Sequence, residues 1–110
     1  MIRRLFLNEA INQAFKSDMN FNHGAVLIYR GKIIAKGYNS YIDSNYNIFS
    51  EHAEVCAIRN GLKKLHSDEL KKCELVIIRV NNIGECLNSK PCCNCQKFIN
   101  KFNIKKVYYS

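Results

Sequence analysis

Two short segments of the chain carry side chains that can bind a metal ion. Residues 52–54 read His-Ala-Glu, and residues 91–95 read Pro-Cys-Cys-Asn-Cys. Cys92 and Cys95 are three residues apart, so on a helix their sulfur atoms share one side and can hold one ion. Together with the imidazole of His52 they make three protein ligands, which leaves the fourth tetrahedral position for water. The pattern predicts a catalytic Zn²⁺ site.

Glu54 is the side chain best placed to move protons at such a site. It lies two positions after His52, and in the middle of a helix that spacing would put the two side chains about 200° apart. We therefore expect both in the first turn, where side chains converge beyond the helix end. Zinc lowers the pKa of bound water from 15.7 towards about 7, and a positioned carboxylate that carries its proton typically contributes about 100-fold to 10,000-fold in rate.

The elements that must position these residues follow from hydrophobic periodicity. Val55, Ile58, Leu62 and Leu65 recur at helical spacing, with Ser50 as a candidate cap. Proline is favourable at the first position of a helix, so we expect residue 91 to open the third one. The predicted elements are a helix, two strands, a helix, a strand, a helix and a strand, at residues 3–18, 25–30, 32–37, 51–65, 75–79, 91–103 and 106–109.

This order predicts an α/β fold of three layers, α-β-α, with a mixed sheet. The first two strands should form an antiparallel hairpin, and the remaining strands should run parallel. Residues 39–50 are rich in Asn, Asp and Ser without periodicity, so we expect a surface loop there that could act as a lid or a specificity loop. A second loop is expected at residues 81–90.

Composition limits the class of protein. A chain of 110 residues predicts a single domain over residues 1–110. The longest apolar stretch, Ala25 to Tyr29, is far shorter than the ~20 residues of a membrane-spanning helix, so no membrane partner and a cytoplasmic location are expected. Three of the six cysteines crowd into residues 92–95, which suits a metal in a reducing compartment better than disulfides. The net charge of +8 favours an anionic partner, although a general bias towards Lys and Asn explains it equally well.

The paired motif at residues 52–54 and 91–95 resembles that of the cytidine and deoxycytidylate deaminase superfamily. Three further segments match the family, namely 24–27 (Gly-Ala-Val-Leu), 37–39 (Gly-Tyr-Asn) and 104–109 (Ile-Lys-Lys-Val-Tyr-Tyr). The resemblance covers nearly the whole chain and implies the cytidine deaminase-like fold. It also implies hydrolytic removal of the C4 amine of a cytosine-type nucleotide or nucleoside, with deoxycytidylate or cytidine as the expected substrate.

The same resemblance assigns roles to individual residues. Glu54 would pass protons from water to the ring nitrogen and the leaving amine, and Asn39 would hydrogen-bond the base or the sugar. Ala53 would lie against the substrate ring, and Phe21 and His23 would line one wall.

The chain departs from the family pattern in two places. Ser89 and Lys90 stand where relatives often have Thr or Glu before the proline, and nothing follows the last strand, where relatives usually add an element that shapes substrate choice and subunit contacts. We expect a homo-oligomer that completes the pocket. For a substrate phosphate, the candidates near the expected mouth are Arg79, Lys90 and Lys36.

Other interpretations compete with a nucleotide deaminase. The same motif would serve a deaminase of tRNA adenosine or single-stranded nucleic acid, or of guanine or another free base. A non-catalytic, zinc-stabilised binding module is a further alternative, as is a structural zinc site closed by Cys86 or Cys93, or a redox CxxC pair. His23 would then be a packing residue, and Asn39 would simply end a strand.

Overall fold

In the computed structural model of the protein, the described residues are 3–17, 22–44, 47–81, 83 and 85–110, with the side chains of 42–50 and 93 left out. The helices are α1 (Arg4–Phe15), α2 (Ala53–Gly61) and α3 (Cys93–Lys101), with a 3₁₀ helix at Ser67–Lys72. The strands are β1 (Asn22–Tyr29), β2 (Lys32–Tyr38), β3 (Ser40–Ser44), β4 (Asn47–Glu51), β5 (Glu74–Val80), β6 (Cys86–Leu87) and β7 (Lys106–Tyr109). None of the described helices has the length and hydrophobicity needed to cross a bilayer.

Among the described residues, the main sheet contains five strands. Four of them follow in the order β2-β1-β5-β6, and the fifth, β7, pairs with β5 beside β6. Strand β1 is antiparallel to β2 and to β5, whereas β7 is parallel to β5. The sheet is therefore mixed, as the sequence predicts.

Alternating residues of the central strands bury the two faces of this sheet. Leu27 and Ile77 belong to the core beneath α2 and α3. Their neighbours Val26 and Ile78 point the other way and belong to a second core with Phe6, Ala10 and Ala14 of α1. This two-residue alternation gives a sheet with helices on both faces, and the predicted three-layer α/β fold is confirmed.

The segment at residues 39–50 corrects the sequence-based expectation of an irregular loop. In the described part of this segment β3 and β4 form an antiparallel pair, from Ser40 opposite Glu51 to Ser44 opposite Asn47. The β-branched and aromatic residues among the Asn and Ser explain the pairing, since such residues favour extended pairs. The polar composition concealed this tendency.

The starts of α2 and α3 also differ from the prediction. Ser50 lies within β4 and is not the cap of α2, because His52 occupies the N-cap position. Pro91 lies before α3, whose N-cap is Cys92 in an extended conformation. The sulfur of Cys92 accepts a hydrogen bond from the backbone N–H of Cys95 at 3.4 Å. It thus caps the helix as the hydroxyl of a Ser or Thr N-cap would.

Strand directions beyond the first hairpin were only partly predicted. The pairs of β5 with β1 and with β6 are antiparallel. Strands β2 and β5, whose connection includes α2, run parallel to each other as a crossover requires. In the sheet, however, β1 lies between them. The direction of the β1–β5 pair thus follows from which strand fills the centre of the sheet.

Candidate active site

The three predicted metal ligands lie together at one end of the sheet. The Nδ1 atom of His52 is 2.9 Å from the sulfur of Cys95 and 3.7 Å from that of Cys92. All three donor atoms lie within 4.8 Å of one another. Ligands at about 2.0 to 2.3 Å from one tetrahedral zinc ion lie about 3.3 to 3.8 Å apart, so the distance to Cys92 fits and the sulfur of Cys95 would move away from His52 by about 0.5 Å on binding the ion.

Two helix starts create this cluster. His52 and Cys92 are the N-cap residues of α2 and α3, and Cys95 lies in the first turn of α3. Both helices pack on the same face of the sheet, so their amino ends meet. The expectation that two segments 40 residues apart converge is thereby met.

Glu54 lies beside the cluster as a buried acid. Only 4% of its surface is exposed. Burial is the main cause that raises the pKa of its carboxyl group, while a backbone hydrogen bond, the charge of His52 and a hydrogen bond with Cys95 act in the opposite direction. A raised pKa makes the carboxylate a better proton acceptor than an exposed one.

Burial determines the pKa of the Cys95 thiol. A helix amino terminus by itself lowers the pKa of a thiol. The pKa of Cys95 is instead raised, chiefly by burial and then by the charge of Glu54 and the proximity of Cys92. Only 3% of its surface is exposed, so a thiolate there needs a compensating cation. Two thiols and an imidazole make a donor set that fits Zn²⁺, and the predicted cofactor agrees with it.

A cavity of about 310 Å³ opens onto this cluster. Asn39 and His23 form part of its wall and are joined by two hydrogen bonds. The backbone N–H of His23 donates to the side-chain oxygen of Asn39 at 2.9 Å, and the N–H of Asn39 donates to the carbonyl oxygen of His23 at 3.3 Å. Ala53 and Glu54 also line the cavity.

Not every residue predicted at the site is found there. Phe21 lies outside the described residues. Lys36 forms an ion pair with Glu9 at 3.2 Å and, like Arg79, is absent from the described lining of the cavity. Cys86 is exposed on β6 and is not part of the donor cluster among the described residues.

One part of the cavity wall was not predicted as such. Ser89 and Pro91 line the cavity together with Lys90, the only one of the three that was among the candidates. Ser89 is buried, with 2% of its surface exposed. The signal in the sequence was their position directly before the ligand Cys92, because the backbone next to a metal ligand also lines the cavity that the ligand faces.

The fold and the three-donor cluster together define a zinc-binding deaminase domain. The profile described as the cytidine and deoxycytidylate deaminase zinc-binding region matches residues 2–110. The chain belongs to this family.

Individual relatives within the family differ in their substrates. A chloroplastic tRNA(adenine(34)) deaminase of Arabidopsis thaliana is 36% identical over 78 residues, which are 69% of this chain and 6% of that protein. The chain spans half or less of the length of the curated relatives that it matches.

Two solved structures share the fold. A guanine deaminase of Bacillus subtilis is 28% identical, with a TM-score of 0.72 over all of this chain and 64% of the other. A dCMP deaminase of the cyanophage S-TIM5 is 23% identical, with a TM-score of 0.67 over 98% of this chain and 84% of the other.

Proposed function

We propose that the chain is a hydrolytic deaminase of a cytosine base carried on a nucleotide or nucleoside, with Glu54 as its proton carrier. The observation that carries this proposal is a buried carboxyl group that lines the same cavity as two members of the three-donor cluster, His52 and Cys92. A structural zinc site would have no use for that acid, and burying a carboxyl group costs stability.

His52, Cys92 and Cys95 are the residues that would hold Zn²⁺. When bound there, the ion supplies a nucleophile at neutral pH by lowering the pKa of water to about 7. Glu54 takes one proton from the attacking water and delivers it to the ring nitrogen. It then takes the second proton, from the hydroxyl that has added to the carbon, and delivers it to the amine, which departs as ammonia. Its raised pKa supports this role, because a raised pKa makes the carboxylate a better proton acceptor in each transfer.

Asn39, His23 and Ala53 are proposed to hold the base. The double hydrogen bond between Asn39 and His23 fixes the wall that faces the substrate. Ala53 is fully buried and presents only a methyl group, so a flat ring can approach the backbone closely.

The size and charge of the cavity support a small nucleotide. Its volume of about 310 Å³ lies at the lower end of the range of about 300 to 1,000 Å³ for small-molecule sites, which suits a single-ring base with its sugar. Lys90 is exposed in the cavity wall, where its ammonium group can meet a phosphate. We propose deoxycytidylate or cytidylate in preference to the free nucleosides.

A second candidate function is deamination of adenosine in tRNA. It is favoured by the similarity to the Arabidopsis tRNA(adenine(34)) deaminase and by the net charge of +8. Binding through many phosphates would make the activity fall steeply with salt, by about 10³-fold or more between 50 and 200 mM when six or more phosphates are contacted. Activity on a free nucleotide would change far less.

The test is ammonia release from zinc-loaded protein with deoxycytidylate, cytidine, guanine and a tRNA anticodon stem-loop, each at two salt concentrations. Glu54→Gln should lower turnover of the true substrate by about 100-fold to 10,000-fold with the zinc content unchanged. Glu85→Gln, on an exposed side chain away from the cavity, is the matched control. Wild-type turnover in Glu54→Gln would end the proposed role, and activity on the stem-loop alone would replace cytosine by adenosine.

The homo-oligomeric state and the cytoplasmic location stay predictions. Light scattering of the purified protein tests the former.

A further inference from the structure

Two serines connect the end of β7 to the loop that carries Cys92. Ser89 lies in this loop, two residues before Pro91, and lines the cavity. Ser110 follows β7, whose last paired residue lies opposite Ile77 of β5. The two serines are 21 residues apart in the chain and meet at the edge of the main sheet.

Ser89 is bonded to both neighbours at this edge. Its hydroxyl donates to the carbonyl oxygen of Ile77 at 2.8 Å and accepts the backbone N–H of Ser110 at 2.8 Å. Its own N–H donates to the carbonyl oxygen of Ser110 at 2.7 Å. The loop is therefore paired with residue 110 almost as a further strand would be.

The hydroxyl of Ser110 completes the connection. It donates to the carbonyl oxygen of Leu87 and accepts the backbone N–H of Arg79 at 3.2 Å. A hydroxyl has one proton. The hydroxyl of Ser110 can donate either to Leu87 or, at 3.0 Å, to the hydroxyl of Ser89, and the hydroxyl of Ser89 can donate either to Ile77 or, at 3.5 Å, to the carbonyl oxygen of Ser110.

This pair ties the cavity wall to the sheet. The hydrogen bonds of Ser89 to other elements run to Ser110 and Ile77. A further bond of this loop is local, from the N–H of Lys90 to the side chain of Asn88. Cys92 follows at once, so the position of its sulfur depends on where residues 89–91 are held.

We propose that Ser110 is a positioning residue: by holding Ser89, it sets the cavity wall at residues 89–91 and the placement of Cys92 relative to His52. The proposal deepens the proposed function and rests on it for the catalytic consequence. Groups that orient a metal ligand indirectly typically affect metal affinity or activity by about 10-fold to 100-fold. Because Ser110 acts through Ser89 and the backbone, we expect the lower end of that range.

The experiment compares Ser110→Ala with Ser110→Thr, which keeps the hydroxyl, and with the exposed control Ser67→Ala. Zinc affinity is measured by competition with a chromophoric chelator, and amide hydrogen exchange is measured along the chain. Ser110→Ala should bind Zn²⁺ about tenfold more weakly and exchange faster in the peptide that covers residues 87–92, while Ser110→Thr stays within about threefold of wild type. At saturating zinc, Ser110→Ala should recover kcat but keep a raised KM, which a general loss of stability would not produce.

Wild-type zinc affinity and KM in Ser110→Ala would overturn the proposal, as would a Ser110→Thr variant as impaired as Ser110→Ala. If Ser110→Ala does not fold, Ser110→Cys takes its place, because a thiol is a weak donor and acceptor. A double-mutant cycle with Ser89→Ala should show strong non-additivity if the two hydroxyls act as one unit, and additive effects would count against it. Zinc affinity and amide exchange need no substrate, so they still test the role of Ser110 if no base is deaminated and the proposed function fails.

Discussion

Replacing Gly37 by Ala should shift active-site residues through the backbone of α2. Gly37 lies in β2 under the first turns of α2, and an added Cβ atom would lie 2.5 Å from the nitrogen of Ala57 and 2.7 Å from the carbonyl oxygen of Ala53. Ordinary contact begins at 3.4 Å, so the backbone of α2 must retreat by about 0.7 to 0.9 Å. Backbone atoms cannot rotate away as a flexible side chain can.

The magnitude of the effect follows from what this turn carries. His52 caps α2 and Glu54 lies in its first turn, so both move relative to Cys92 and Cys95, which belong to α3. A misplacement of about 1 Å costs up to about 100-fold in rate, and overpacking of this kind costs about 1 to 3 kcal/mol in stability. We expect Gly37→Ala to lower kcat/KM by about 10-fold to 100-fold, to weaken zinc binding and to lower the Tm.

The assays are ammonia release, chelator competition and calorimetric unfolding, each beside a matched glycine variant. Gly31→Asn is that control, because a Cβ atom at Gly31 meets nothing within 4 Å and Asn tolerates its positive φ of 76°. If Gly37→Ala keeps wild-type kcat/KM and zinc affinity, the close packing of α2 on β2 does not determine the geometry of the site.

Four other outcomes are expected. The zinc-free Glu54→Gln variant should unfold at the wild-type Tm or above it, because burial raises the pKa of the carboxyl group and the amide removes a potential buried charge; a clearly lower Tm would contradict this. Lys90→Met should raise KM for deoxycytidylate and leave KM for deoxycytidine unchanged, and equal effects on both would show that Lys90 does not bind the phosphate. The buried thiol of Cys73, whose pKa burial raises to about 11, should resist iodoacetamide at pH 8 while the exposed Cys86 reacts, as read by peptide mass spectrometry. Since the unfolded thiol ionises near its ordinary pKa of 9.0, the stabilisation that comes from a neutral Cys73 is present below pH 9 and is lost as the pH rises towards 11, and a Tm of Cys73→Ala with the same pH dependence as wild type would refute this.

The sequence by itself determined the parts of this protein that depend on local spacing. The three-residue interval between Cys92 and Cys95 places two sulfurs on one side of a turn wherever that turn lies. The short apolar runs at residues 25–30, 32–37 and 75–79 and the three- and four-residue spacing of the helices likewise indicated nearly all the elements of the main sheet, with β7 predicted at its observed residues. Such patterns can be read locally because the backbone geometry that creates them repeats within a few residues.

Only the tertiary structure decided which distant groups meet. The pairing of β3 with β4 could not be predicted because the Asn-rich composition of the segment conceals it. The antiparallel pairing of β1 with β5 depends on which strand lies at the centre of the sheet. The raised pKa of Cys95 arises because burial outweighs the helix terminus, and burial is a property of the whole packed core. The hydrogen bonds between Ser89 and Ser110 have no sequence signal, because they join residues whose proximity follows from long-range packing.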